Sequence, residues 1–142
     1  LAIVSSASTS QYDPWYGMTS SAKRDDLPWY IIGTEVMPSS DFTTINSEDD
    51  SLAFFKFKQE SNDMYSIYNE STKKYLVNYV DGTHYSIRFE SSATSTYSIY
   101  WKITSSGKGF TFYGDKGVYL EYYNGSFTGY KNQPSVPIYL YK

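Results

Sequence analysis

One element recurs three times across residues 29–142, and it limits the folds open to this chain more than any other feature. Each copy opens on an aromatic-aliphatic stretch: Trp29-Tyr30-Ile31-Ile32, then Met64-Tyr65-Ser66-Ile67-Tyr68, then Phe110-Thr111-Phe112-Tyr113. Each closes on another: Phe54-Phe55-Lys56-Phe57, then Ile99-Tyr100-Trp101-Lys102-Ile103, then Ile138-Tyr139-Leu140-Tyr141. Copies two and three share an internal Tyr-Leu pair after a polar turn, Tyr75-Leu76 and Tyr119-Leu120, which the first copy lacks. The openings lie 35 and then 46 residues apart, counted Tyr30 to Tyr65 and Tyr65 to Thr111. A repeat of this length is a supersecondary unit that buries its apolar face only against its neighbours.

The stretches are short, rich in Tyr, Phe, Ile and Trp, and bounded by Gly, Asp, Asn and Ser, as strands between turns are. His84-Tyr85-Ser86-Ile87-Arg88-Phe89 alternates with Tyr85, Ile87 and Phe89 on one face, and Phe42-Thr43-Thr44-Ile45 also reads as a strand. Asp81-Gly82 and Asn124-Gly125 are hairpin turn signals. Eleven or twelve short strands are expected on this reading, with no helical periodicity beyond two turns. So many strands need a closed or double-layered all-β fold, because open edges invite aggregation. Tyrosine alone supplies 17 of the 142 residues. It packs its ring and keeps its hydroxyl wet, so the expectation is a thin core with a half-wet aromatic layer, a surface suited to stacking on sugars or on partner proteins.

Residues 1–28 differ. Ser5-Ser6-Ala7-Ser8-Thr9-Ser10 and Thr19-Ser20-Ser21 are small and polar, the composition of a linker, and the domain is expected to span 29–142 with 1–28 as an extension. Leu1-Ala2-Ile3-Val4 is a short strand or the tail of a removed element, and Trp15 and Tyr16 are expected to tack the extension onto the domain. The chain opens on Leu1 rather than Met, so a processed chain or an excised domain is expected.

Charge and residue types exclude several functions. A net charge of −3 does not suit nucleic acid, whose phosphates need a basic stripe. Without cysteine there is no disulfide framework and no thiolate metal site. The acidic loop Asn46-Ser47-Glu48-Asp49-Asp50-Ser51 lacks the ligand spacing of a calcium loop, and no metal or cofactor is expected. No apolar run reaches the ~18–20 residues of a membrane helix. His84, the single histidine, lies beside a turn with no Gly-x-Ser-x-Gly motif elsewhere, and Gly107-Lys108-Gly109 lies between strands rather than before a helix. No catalytic residue is therefore assigned. The sequons Asn69-Glu70-Ser71 and Asn124-Gly125-Ser126 matter only in a eukaryotic secretory pathway, and a glycan is expected to fit on the first.

Three copies of opening strand, hairpin and closing strand resemble a β-trefoil, in which six strands form a short barrel and three hairpins cap one end; an up-and-down β-barrel is the alternative. Tyr65-Ser66-Ile67-Tyr68-Asn69 followed by Lys74-Tyr75-Leu76 resembles the Tyr-x-Ile-x-Asn and Lys-Tyr-Leu core of ricin-B-like trefoils, and Trp101-Lys102-Ile103 stands where those repeats place a Trp-x-Ile strand. The stretch from Tyr119-Leu120-Glu121-Tyr122-Tyr123-Asn124 to Leu140-Tyr141-Lys142 is similar to a closing module of secreted Bacteroidota proteins. The Gln-x-Trp signature of ricin-type lectins is absent. That family builds a sugar pocket from an Asp, an aromatic ring and an Asn or Gln. The resemblance thus implies two ligand-binding sets, Asp81 with Asn78 and Tyr79, and Asn124 with Tyr122, Tyr123 and Tyr130. The function it implies is a non-catalytic extracellular or cell-surface module that binds carbohydrate, with a glycan or a protein as partner. A protein-interaction or protease-inhibitor domain, or an accessory structural domain of a larger secreted protein, stays open beside it.

Overall fold

The computed structural model describes residues 1–6, 15–47 and 50–142. They form thirteen strands: β1 (Ala2–Ser6), β2 (Trp15–Arg24), β3 (Leu27–Pro38), β4 (Ile45–Asn46), β5 (Lys56–Ser61), β6 (Met64–Asn69), β7 (Lys74–Asp81), β8 (His84–Glu90), β9 (Tyr100–Ser106), β10 (Gly109–Gly114), β11 (Val118–Tyr123), β12 (Ser126–Tyr130) and β13 (Ile138–Tyr141). Six of them close a barrel. β1 pairs with β13, β13 with β10, β10 with β9, β9 with β6 and β6 with β5, all antiparallel. Two bonds between Leu1 and the residue preceding β5 complete the ring: the Leu1 amino group donates to Phe55 O at 2.7 Å, and Phe55 N donates to Leu1 O at 2.8 Å. The pairs β2–β3, β7–β8 and β11–β12 are the three hairpins. This is the β-trefoil.

The threefold symmetry is visible in the core. Four positions recur in each copy: Ile3, Ile67 and Phe112 on the opening strands; Met18, Leu76 and Leu120 on the first hairpin strands; Ile31, Ile87 and Phe127 on the second; Phe55, Trp101 and Ile138 at the closing strands. All twelve are at most 3% exposed. Removing their side chains from water supplies roughly 1.5–3 kcal/mol each, the dominant favourable term for the fold. Trp101 buries its indole and donates its Nε1–H to Leu76 O at 2.9 Å, so the polar atom of the largest core side chain is satisfied.

The first copy begins earlier than the sequence led us to expect. Trp29-Tyr30-Ile31-Ile32 is no opening strand; it lies in β3, the second strand of the first hairpin. The opening strand is Ala2–Ser6, with all five residues buried, so these residues belong to the barrel and not to an extension. Ile3 precedes Ile67 by 64 residues, whereas Ile67 precedes Phe112 by 45. The register explains the missing Tyr-Leu pair. Tyr68 faces Tyr75 and Tyr113 faces Tyr119, and the equivalent pair in the first copy is Val4 facing Gly17. A Cβ at Gly17 would collide with Leu52 Cδ1, so the leucine side chain fills the space the tyrosines take elsewhere. Trp15 packs on the barrel wall, 5.3 Å from the Phe42 ring and 5.2 Å from Tyr139. Residues 7–14, with most of the Ser-rich run and Asp13-Pro14, lie outside the described residues, as do Glu48 and Asp49 of the acidic loop.

The strand expected at 42–45 is shortened to Ile45–Asn46, paired with Met37 and Pro38. A turn takes up the rest. Asp41 accepts bonds from the Ser39 and Thr43 hydroxyls (2.8 and 2.7 Å) and from Thr43 N (3.2 Å), and Phe42 sits at φ 59°. Side-chain bonds of this kind compete with strand pairing. They hold the Asp41 carboxyl down at about 2.

Candidate functional site

The residues chosen from the sequence fall into three environments. Asn78 is fully buried. Its Nδ2 donates to Tyr100 O at 3.0 Å and more weakly to Ser98 O at 3.4 Å, and its Oδ1 accepts from Lys116 N at 3.0 Å. It ties the second hairpin to the start of β9 and to the turn after β10, and with no exposure it is enclosed away from any ligand, a correction to its expected role. Tyr79 is also buried, edge-on to Tyr97 with centroids 5.0 Å apart. Tyr122 is half-buried and stacks on Tyr16 at 4.8 Å and 10°. Burial, and secondarily the neighbouring Tyr16 phenol, push Tyr122 up to about 12.

Asp81, Tyr123, Asn124 and Tyr130 are exposed. Tyr123 and Asn124 stand at the tip of the third hairpin, where positive φ at Asn124 (51°) and Gly125 (93°) makes the tight turn that Asn-Gly forms readily. Tyr130 sits at the other end of β12, about 14 Å from Ser126 at strand rise and farther from the turn, so that set does not converge. The sequon at Asn69 is corrected as well. Asn69 is 3% exposed and its Nδ2 donates to Phe54 O at 3.1 Å, which leaves no accessible amide for a glycan.

A large cavity lies elsewhere, a groove of about 780 Å³ between the first and second copies. Three elements build it. The first is a bulge in β2. Met18 faces Gly33 and Ala22 faces Ile31, so Thr19, Ser20 and Ser21 together stand opposite Ile32 alone. In the second hairpin Leu76, Val77 and Asn78 face Phe89, Arg88 and Ile87 one to one. The two surplus residues swing the strand outward, as bulges do. Their backbone is anchored by Ser21 N donating to Thr19 Oγ1 at 3.2 Å. The second element is the segment 50–56, held by Ala53 N donating to Met18 O at 3.1 Å. It buries Phe55 in the core and turns Phe54 outward, 55% exposed, into the groove. The third is the turn after β6. Asn69 fixes it by accepting from Thr72 N and Thr72 Oγ1, both at 2.9 Å, while its amide grips Phe54 O.

The groove thus carries an exposed ring, the hydroxyls of Ser20, Ser21 and Ser71, the carboxylates of Asp50 and Glu70, and Lys56. Lys56 Nζ lies 3.7 Å from Glu70 Oε1 with both side chains over 70% exposed, so this rim pair contributes little stability. Such a surface can stack on an apolar face and hydrogen-bond around it. Among the described residues no group of three or more His, Asp or Glu side chains is placed to hold a metal ion. Sequence reasoning missed the groove residues. The available signal was Phe54-Phe55, two adjacent large rings where an alternating strand turns only one inward.

Scans of the sequence against known families and against curated proteins return no match. The fold is similar to that of a solved lectin from Polyporus squamosus, bound in its crystal to the human-type influenza-binding epitope Neu5Aca2-6Galb1-4GlcNAc. The two superpose with a TM-score of 0.55 at 14% identity. The match covers 95% of this chain and 45% of the lectin chain, so the present chain spans less than half of that protein's length.

Proposed function

We propose that this chain is a non-catalytic, lectin-like module of an extracellular protein, and that it takes glycans in the groove between its first and second copies. The observation that carries this reading is Phe54. Its ring is 55% exposed, yet its backbone is pinned through Asn69 and it is flanked by hydroxyls and carboxylates. A rigid ring presents a stacking platform for the C–H face of a pyranose, and the surrounding oxygens bond its hydroxyls in directions that discriminate epimers. The likeness to a lectin supports the reading at the level of fold.

The test is a glycan array followed by titration of any hit with the parent protein and Phe54→Ala. Phe54 is outside the core, so the variant keeps its fold. Loss of a stacking contact of about 0.5–1.5 kcal/mol weakens binding roughly 2–13-fold. Tyr123→Ala and Asp81→Asn, run alongside, address the exposed residues of the two sets chosen from the sequence. Binding lost with Tyr123 and retained without Phe54 would move the site to the third hairpin. An array blank across plant, microbial and host glycans would refute the reading.

A further inference from the structure

We propose a second binding site, independent of the groove, at the junction of the three hairpins, and that it takes a carboxylate-bearing sugar. A cavity of about 260 Å³ lies there, lined by residues from all three copies. Trp29 and Tyr30 come from β3, Tyr85 from β8 and Tyr130 from β12, so four rings converge on one small space. Its floor is backbone. A Cβ on Gly129 would stand 2.6 Å from Tyr85 O and 2.9 Å from Ser86 Cα, which shows how closely the second and third hairpins meet beneath it. A floor made this way is rigid, and the cavity is preformed.

The charge of the lining sets the ligand class. His84 and Lys131 line the cavity, and no carboxylate does among the described residues. Lys23 Nζ adds a further cation 5.9 Å from the centroid of the Tyr30 ring. Two acids face lining residues by register, Asp81 opposite His84 at the exposed tip of the second hairpin and Glu121 opposite Thr128 in the third; neither lines the cavity. The protein as a whole carries a charge of −3, so a lysine in the lining, a second over the Tyr30 ring and no acid in the lining are a local reversal of the average. Rings that accept an apolar sugar face, next to cations that accept a carboxylate, match a uronic or a sialic acid. The volume lies just below the ~300–1,000 Å³ of pockets for drug-sized ligands, which limits the occupant to a single sugar residue.

Trp29 is the reporter. Trp15 and Trp101 are 3% and 0% exposed, whereas Trp29 is half-buried in the cavity wall, so its indole N–H is the one a ligand reaches. The experiment titrates the isotope-labelled full chain with the methyl glycosides of glucuronic acid, N-acetylneuraminic acid and glucose, following the Trp29 indole and His84 ring signals. The acidic sugars are expected to shift both signals at millimolar concentration, and whichever acid shifts them at lower concentration is the ligand. Glucose is expected to leave them in place. Lys131→Glu, exposed and at a strand end, should weaken the response at least tenfold with an unchanged amide spectrum; Asp81→Asn should preserve or strengthen it. Phe54→Ala should not affect it, which separates this site from the groove. Equal shifts with glucose, or a Lys131→Glu titration that matches the parent, would overturn the assignment.

Discussion

Asn78→Ala separates a ligand-binding asparagine from a structural one, and the structure fixes the expected size of the effect. The substitution leaves Lys116 N without its acceptor in a part-buried site, whereas Tyr100 O loses its 3.0 Å donor but still accepts from Asp115 N at 3.2 Å. A buried backbone group left unpaired costs about 1–3 kcal/mol. The weaker 3.4 Å contact to Ser98 O adds little, because Ser98 O also accepts from Asn78 N, a bond the substitution keeps. The side chain further packs against Gly114, where any Cβ would overlap it, so its removal opens a void. Allowing for partial relaxation, the loss is about 1–3 kcal/mol, a large share of the ~5–15 kcal/mol that holds a typical domain. At about 2–4 °C per kcal/mol for a chain of this size class, the melting temperature falls by roughly 2–12 °C. Urea denaturation and thermal melts of the parent and variant read it directly. A melting temperature within a degree of the parent, together with lost glycan binding, would refute the structural role and return Asn78 to the ligand.

Three further outcomes follow from other parts of the molecule. Burial raises the phenol of Tyr122 to about 12 and also raises those of Tyr79 and Tyr141, so all three favour the neutral form in the fold; stability is therefore full below pH 10 and declines as pH rises from 10 towards 12, a slope that urea melts at stepped pH will register and that Tyr122→Phe should reduce. Glu121 keeps Oε2 buried with no hydrogen-bond partner among the described residues, and burial raises its pKa; a raised carboxyl destabilises the fold once pH exceeds the unfolded value, so Glu121→Gln should raise the melting temperature at pH 7 and give no gain at pH 3. Deleting Ser20 and Ser21 leaves Met18, Thr19 and Ala22 facing Gly33, Ile32 and Ile31 one to one, so the variant should fold with the register of the second hairpin and lose glycan binding in the groove; retained binding would show that the bulge plays no part in it.

Copies two and three were legible in the sequence because their packing demands match. Both need an apolar residue at each of the four core positions, and both carry a cross-strand tyrosine pair beside it, Tyr68 with Tyr75 and Tyr113 with Tyr119. The closing strand of the first copy was legible for the same reason, with Phe55 standing where Trp101 and Ile138 stand. Its opening strand was not. Ser5 and Ser6 are buried but polar, and small polar residues read as linker because composition does not reveal that β2 and β13 satisfy their backbone. Gly17 erased the Tyr-Leu marker because its neighbour Leu52, 35 residues away, fills the gap. In the candidate site, Asp-Gly and Asn-Gly correctly marked the turns. Whether the tyrosine beside each turn faces water depends on tertiary packing: Tyr79 and Tyr123 occupy equivalent hairpin positions, yet one is 6% and the other 68% exposed.

The asymmetry of the first copy is where structure and function part. A threefold barrel closes if each copy supplies its four buried side chains, and the first copy does so with Ile3, Met18, Ile31 and Phe55. Nothing in that requirement calls for two surplus residues in β2, for a second phenylalanine turned into solvent, or for the longer path between β3 and β5 that brings Leu52 over Gly17. These three departures meet in one place, and that place is the 780 Å³ groove. An outward bulge interrupts the ladder, and an exposed ring forgoes the energy its burial would supply. Copies two and three keep their hairpins in register; the first departs from it twice, between Met18 and Ala22, where Thr19, Ser20 and Ser21 line the groove, and again between Ala22 and Arg24, where Lys23 stands opposite Pro28, Trp29 and Tyr30. The groove proposed as the glycan site is where the bulge, the outward ring and the longer connection coincide, and closing the barrel requires none of the three.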